Sequence, residues 1–234
     1  MKKEVLGIKI DDVNLEQATD KVVSWLKTNT KHYVVTPNPE FVVMAQKDLE
    51  LKKIINNADL SIPDGVGLRL VTDIVCYTPG IDLMESLIKR SVDYGFTVGL
   101  LGGEEGVAEK AAERLRKKYP KVKIVFAESG GKVDKEGKLL KFPRLLKSRS
   151  CDILFVAFGQ PKQEKWIAKN LPNIPVKVAM GVGGGLDYLS GKVPRAPKLM
   201  RNLGFEWLFR LILQPWRIKR QLALLEYLRL IMLS

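Results

Sequence analysis

The sequence is poor in the residues that build metal and redox centres. Its 234 residues hold two cysteines, Cys76 and Cys151, far apart and without a C-x-x-C pair, and a single histidine, His32. That excludes a disulfide framework and a His-rich metal cluster, and fits reduced thiols. No apolar run approaches the roughly 20 residues that span a bilayer, because Glu206, Arg210 and the Gln214-Pro215 pair interrupt the most apolar stretch. The start, MKKEVLGIKIDD, reaches acidic residues too soon for a secretory signal. The expectation is a chain without a signal peptide that does not cross a membrane.

What is abundant is positive charge. The net charge is +13, and residues 192–234 carry nine Lys/Arg against two Glu. A basic tail points to a polyanion, nucleic acid or an anionic lipid surface, and says nothing of the fold.

Up to about residue 191, short β-rich runs alternate with helical-period stretches, the pattern of βαβ units. Strands are expected at Val5–Ile10, Tyr33–Thr36, Leu60–Ile62, Thr97–Leu101, Val122–Ala127, Ile153–Ala157 and Val176–Met180. Helices are expected at Leu15–Lys27, Glu40–Ile55, Asp82–Asp93, Glu104–Lys118 and Gln163–Lys169. This predicts an α/β fold: a Rossmann-like, mostly parallel sheet with helices on both faces, whose ligands gather beyond the carboxyl ends of the strands. The stretch Gly130–Lys141 reads as a polar surface connection. The expected division is an α/β domain over 1–191 and a basic, apolar helical appendage over 192–234, with two helices broken at Pro215. A tail this apolar must face a core, a partner or lipid.

The unusual residues fall at the strand ends. Gly102, Gly103 and Gly106 form a strand-turn-helix glycine set that would bring backbone N–H groups to a phosphate, with Glu128 placed to hold a ribose hydroxyl. The spacing lacks the first glycine of G-x-G-x-x-G, and a tight βα turn without ligand explains it as well. Asp64 precedes Gly65 after a strand, where a carboxylate can take a proton from a hydroxyl, although an Asp there also serves as a helix N-cap. Thr36 and Asn38, framed by Pro37 and Pro39, could orient a hydroxyl or phosphate or simply cap a turn. Gln160, Lys162 and Gln163 begin a helix with amides and an ammonium suited to a sugar or diphosphate, or to solvent. Gly184 and Gly185, with Asp187, offer open backbone near an anion. Arg210, Arg217 and Arg220 would lie near one face of a continuous helix, to clamp a diphosphate or to snorkel at a surface.

Taken together, TPNPE, IPDGVGL, PGIDLM, LLGG, FGQPKQEKW, GVGGGLDYLSGKVPRAP and GFEWLFRL…QPWRIKR resemble the WecG/TagA/CpsF glycosyltransferase family over about residues 5–222. The resemblance implies an inverting hexosyltransferase that moves N-acetylmannosamine from UDP-ManNAc to the 4-hydroxyl of GlcNAc-diphospho-undecaprenol in wall teichoic acid linkage-unit synthesis. It implies Asp64 as the base, Thr36 and Gln163 as active-site residues, and Arg210, Arg217 and Arg220 as arginines that complete the site from a membrane-contacting appendage. The partners implied are the UDP-sugar, the lipid-linked acceptor and the inner face of the cell membrane, reached from the cytoplasm. Relatives with the same motifs use other donors, so the sugar stays open. No cofactor is expected. No D-x-D pair occurs, so leaving-group charge falls to basic side chains and backbone dipoles in place of a metal. One departure stands out: family members usually have a longer stretch between the PDG and GID motifs, with an arginine three residues before the glycine. Here Tyr77 occupies that place and Val71–Gly80 is foreshortened.

Two other classes compete. The glycine turn and Glu128 suggest a nucleotide-dependent oxidoreductase, with an incomplete fingerprint. The basic tail suggests nucleic-acid binding, against which stands its apolar character; no nucleic-acid partner is expected. An apolar tail can also be covered in a homo-oligomer.

Overall fold

The computed structural model describes residues 2–70, 72–131, 134, 136–138 and 149–233, without the side chains of residues 70, 202, 217 and 219–221. Half of the expected polar connection Gly130–Lys141 thus lies outside the described residues. The chain opens with a hairpin of β1 (Lys2–Val5) and β2 (Ile8–Asp11), turned at Leu6 and Gly7, whose φ angles are 51° and 76°. Two left-handed residues in a row match the twist of the flanking strands. That turn divides the single strand expected over Val5–Ile10.

The main sheet holds β3 (His32–Val35), β4 (Leu60–Ser61), β5 (Thr97–Gly102), β6 (Lys123–Glu128), β7 (Cys151–Ala157) and β8 (Val176–Gly181). Their order is β4-β3-β8-β7-β5-β6, and every pairing is parallel. Helices follow as α1 (Leu15–Leu26), α2 (Pro39–Lys47), α3 (Leu49–Asn56), α4 (Val66–Leu70), α5 (Gly80–Tyr94), α6 (Val107–Lys118), α7 (Lys162–Asn170) and α8 (Gly185–Ser190). Successive strand residues point to opposite faces. Ile153 and Phe155 therefore join one core with Leu83, Leu87 and Ala108, while Leu154 and Val156 join another with Trp166 and Ile167. Both faces of the parallel sheet are covered, which explains why its strands read as largely apolar runs.

The helix expected over Glu40–Ile55 is two. Asp48, at φ −134° and ψ 95°, ends α2, and its Oδ1 accepts a hydrogen bond from the Leu51 N–H at 2.9 Å to cap α3. The C-terminal residues form α9 (Lys198–Asn202), α10 (Glu206–Leu213), a 3-10 turn at Pro215–Arg217 and α11 (Ile218–Met232), with the expected break at Gln214-Pro215. Helix α11 packs on α2, and Tyr227 is fully buried with Phe41, Leu51 and Leu68. Among the described residues no helix is long and apolar enough to cross a membrane.

Candidate active site

A cavity of about 390 Å³ opens beyond the carboxyl ends of β3, β4, β7 and β8 and is roofed by α10. Its walls come from four strand-end loops. After β3, Thr36 is buried and Asn38 caps α2, its Oδ1 accepting from the Phe41 N–H at 2.8 Å. After β4, the Asp64 N–H donates to the Pro37 carbonyl at 2.8 Å, which pins the two loops side by side. Gly80, first residue of α5, packs so closely on Thr36 that a Cβ there would lie 3.0 Å from the Thr36 Cγ2.

Asp64 is the pivotal group of this cavity. Its surroundings favour the protonated carboxyl: burial raises its pKa most, the Gly80 N–H it accepts from lowers it, nearby Glu206 raises it, Arg210 lowers it and Asp82 raises it. The balance is a pKa pushed up to about 7. Tyr77 lines the same cavity, and its phenol is raised by burial and by the Asp64, Glu206 and Asp82 carboxylates. The foreshortened loop is tied down from behind, with the Cys76 N–H donating to Asp12 Oδ1 at 2.8 Å and the Thr78 N–H to the Pro63 carbonyl at 3.1 Å.

On the opposite wall Gln163 is almost fully buried. Its Oε1 accepts from the Gly159 N–H at 3.2 Å and the Gly183 N–H at 2.9 Å, and its Nε2 donates to Glu164 Oε1 at 2.7 Å. Gln163 therefore ties the loop after β7 to the loop after β8, with its amide oriented by a neighbour. Glu164 is itself fully buried, and burial pushes its pKa up to about 8 against the pull of the Gln163 amide and a backbone N–H. Gln160 donates weakly to the Thr36 carbonyl at 3.5 Å, and its buried Oε1 has no hydrogen-bond partner. Arg210 reaches in from α10 and lies over the Tyr188 ring, 5.0 Å from its centroid. A Cβ on Gly184 would run into the Arg210 guanidinium, so the glycine makes room for the arginine.

The cavity thus gathers Thr36, Asn38, Asp64, Gln160, Gln163, Gly184, Gly185 and Arg210. Gly102, Gly103, Glu128, Lys162 and Asp187 do not line it. Gly102 ends β5, one strand further along the sheet, and Gly103 follows it; the Gly103 N–H donates to the Ala157 carbonyl at 2.9 Å and a Cβ on Gly102 would meet the Ala157 backbone at 2.7 Å. These glycines serve strand packing, and the N–H that a dinucleotide phosphate would need at Gly103 is taken. Glu128 ends the edge strand β6 beyond them. Lys162 begins α7, while the Asp187 carbonyl accepts from the Val193 N–H at 3.2 Å. The side chains of Arg217 and Arg220 lie outside the described residues. Sequence reasoning missed Tyr188 and Glu206 in the cavity lining and Arg195, which pairs with Glu206; the signal for the last two was charge inside an otherwise apolar or proline-rich stretch. Among the described residues, no group of His, Cys, Asp or Glu side chains comes together in a way that would hold a metal ion.

The profile of the glycosyl transferase WecG/TagA/CpsF family matches residues 3–234. Among curated proteins, N-acetylglucosaminyldiphosphoundecaprenol N-acetyl-beta-D-mannosaminyltransferases of Staphylococcus aureus strains MRSA252 and COL are each 33% identical over 227 residues, covering 94% of this chain and 87% of the relative.

Proposed function

Because this chain belongs to the WecG/TagA/CpsF glycosyl transferase family, we propose that it transfers N-acetylmannosamine from UDP-ManNAc to the 4-hydroxyl of a GlcNAc-diphospho-undecaprenol acceptor, with inversion. The observation that carries the reading is Asp64, a carboxyl lining the cavity with a pKa pushed up to about 7. A general base works best when its proton affinity lies near the working pH. Inversion needs one displacement and one base, so Asp64 takes the proton of the attacking hydroxyl as that oxygen bonds to the anomeric carbon and UDP departs. Arg210 lies at the roof, where its charge would stabilise the leaving diphosphate. Thr36, Asn38 and Gln160 are suited to orient sugar hydroxyls, while Gln163 holds two of the loops in place.

In this reading residues 192–234 are an appendage that brings the site to a lipid surface from the cytoplasmic side. The exposed apolar side chains support it: Leu199, Leu203, Ile212, Trp216, Leu222 and Leu225 all face solvent. Each basic residue near an anionic surface adds about 1 kcal/mol of attraction, and Arg217 and Arg220 are proposed to meet the acceptor diphosphate there.

The test is acceptor-dependent UDP release from UDP-ManNAc with a short-chain lipid-diphosphate-GlcNAc, in the parent and in Asp64→Asn. Loss of the base is expected to lower kcat by roughly 10²–10⁴-fold. A mutant that retains parental turnover would remove Asp64 from the role, and a parent inactive with this donor but active with another UDP-sugar would reassign the substrate.

A further inference from the structure

Glu206 stands in the first turn of α10 and lines the cavity that holds Asp64. Its carboxylate is fixed from behind by a half-buried cation. Arg195 places Nε 3.3 Å from Glu206 Oε1, Nη2 2.5 Å from Asp82 Oδ1 and Nη1 3.9 Å from Glu85 Oε2. Burial works against the Arg195 charge, yet the Asp82 and Glu206 carboxylates hold it protonated above its ordinary range. One guanidinium therefore fastens α10 to the first turns of α5, the helix whose Gly80 N–H donates to Asp64.

We propose that Arg195 and Glu206 are positioning residues for the base: the arginine clamp holds the Glu206 carboxylate against the Asp64 pocket, so the appendage tunes the base electrostatically as well as roofing it. The inference rests on the transferase reading for its catalytic meaning, but its physical content is the coupling of two carboxyls. The other charged or titratable groups around Asp64 are Tyr77 from the loop before α5, Asp82 from α5 and Arg210 from α10. Glu40 of α2 lines the same cavity. Arg69 and Arg201 border a neighbouring polar pocket that shares Tyr77, Asp82 and Glu206. Of these, Glu206 is the carboxylate delivered by the appendage, and it acts on Asp64 more strongly than Asp82 does. A second negative charge near a carboxyl favours the protonated form. Undocking α10 would withdraw both Glu206 and Arg210, leaving a weaker base in an open cleft.

The full chain, labelled with ¹³C at aspartate side-chain carboxyls, allows the Asp64 titration to be followed directly, with Asp64→Asn identifying its signal. In Glu206→Gln the amide oxygen still accepts from Arg195 while the charge is gone, and the Asp64 midpoint is expected to fall by about half a pH unit or more. Arg195→Gln releases the Glu206 carboxylate from its clamp, while Asp82 keeps Arg201 Nη1 at 3.9 Å, and is expected to lower the midpoint as well, by less than Glu206→Gln does. A midpoint unchanged in a folded Glu206→Gln chain, or one that Arg195→Gln leaves unchanged or raises, overturns the proposal. Should Glu206→Gln not fold, a midpoint in Arg195→Gln that fails to fall overturns it equally. Where the transferase reading also holds, the acid limb of kcat/KM follows the Asp64 midpoint. A midpoint that moves as expected in a chain showing no acceptor-dependent UDP release supports the clamp and counts against the transferase reading alone.

Discussion

At the scale of single residues, burial decides what a polar side chain can do. Asn38 and Asp48 are both caps, yet Asn38 also lines the cavity whereas Asp48 faces Lys165 at 2.8 Å. Gln163 uses its oxygen on two backbone N–H groups and its nitrogen on Glu164, so it serves the site by holding loops together. Glu164 makes a prediction about pH. Its pKa is raised from the ordinary 4.5 to about 8 in the folded chain, so between these values the native state holds a proton that the unfolded state releases. Stability from this group is fully present below about pH 4.5 and is lost as pH rises through about 8. Thermal melts from pH 4.5 to 8.5 are expected to show that decline in the parent and a flatter dependence in Glu164→Gln, whose amide preserves an acceptor for Gln163. Asp64 contributes a slope of the same sign, from its ordinary 3.8 up to about 7, so some decline is expected to persist. Equal slopes in parent and variant would show that Glu164 is ionised in the folded chain.

At the scale of elements, the strands were legible because a parallel sheet covered on both faces is apolar along most of its length, and in β5, β7 and β8 only Thr97, Asp152 and Lys177 interrupt the runs. The hairpin and the α2–α3 break were not, because each depends on the backbone angles of one or two residues: Leu6 and Gly7 at positive φ, and Asp48 at the junction. Helix α11 shows why an apolar helix need not turn wholly to lipid. Tyr227 is sealed against α2, while Leu222 and Leu225 are exposed, so one helix has a docked face and a free one. Replacing Tyr227 by Ala removes a large buried side chain, a change worth roughly 3–5 kcal/mol in well-packed cores. The expected result is early proteolytic cleavage within 203–234 and a lower melting temperature. Tyr227→Phe keeps the ring and removes a buried hydroxyl that has no partner, and is expected to melt at or above the parent. Protease resistance in Tyr227→Ala equal to the parent would mean that α11 is held by its other contacts.

At the scale of the whole molecule, positive charge and exposed apolar surface fall on the same C-terminal stretch, from which Trp207, Arg210 and Leu224 line the cavity. The chain is expected to cosediment with anionic phosphatidylglycerol vesicles more strongly at low salt than at high salt, and weakly with neutral ones. Trp216→Glu combined with Leu225→Glu, both at exposed positions, is expected to cut vesicle binding at least about tenfold while leaving the melting temperature unchanged. Binding that survives the pair would move the lipid contact elsewhere, and a dimer that dissociates in the pair would assign the surface to self-association. The sequence by itself determined the parallel α/β architecture, the basic apolar tail and the family, because periodicity, composition and ordered motifs are local properties of the chain. Only the tertiary structure decided that Gly102, Gly103 and Glu128 stand apart from the cavity, since that follows from strand order, which places β5 and β6 beyond β7. It alone joined Arg195 and Glu206 to Asp82 and set Glu206 in the Asp64 cavity, because those pairings bring together residues more than a hundred positions apart, which no local pattern encodes.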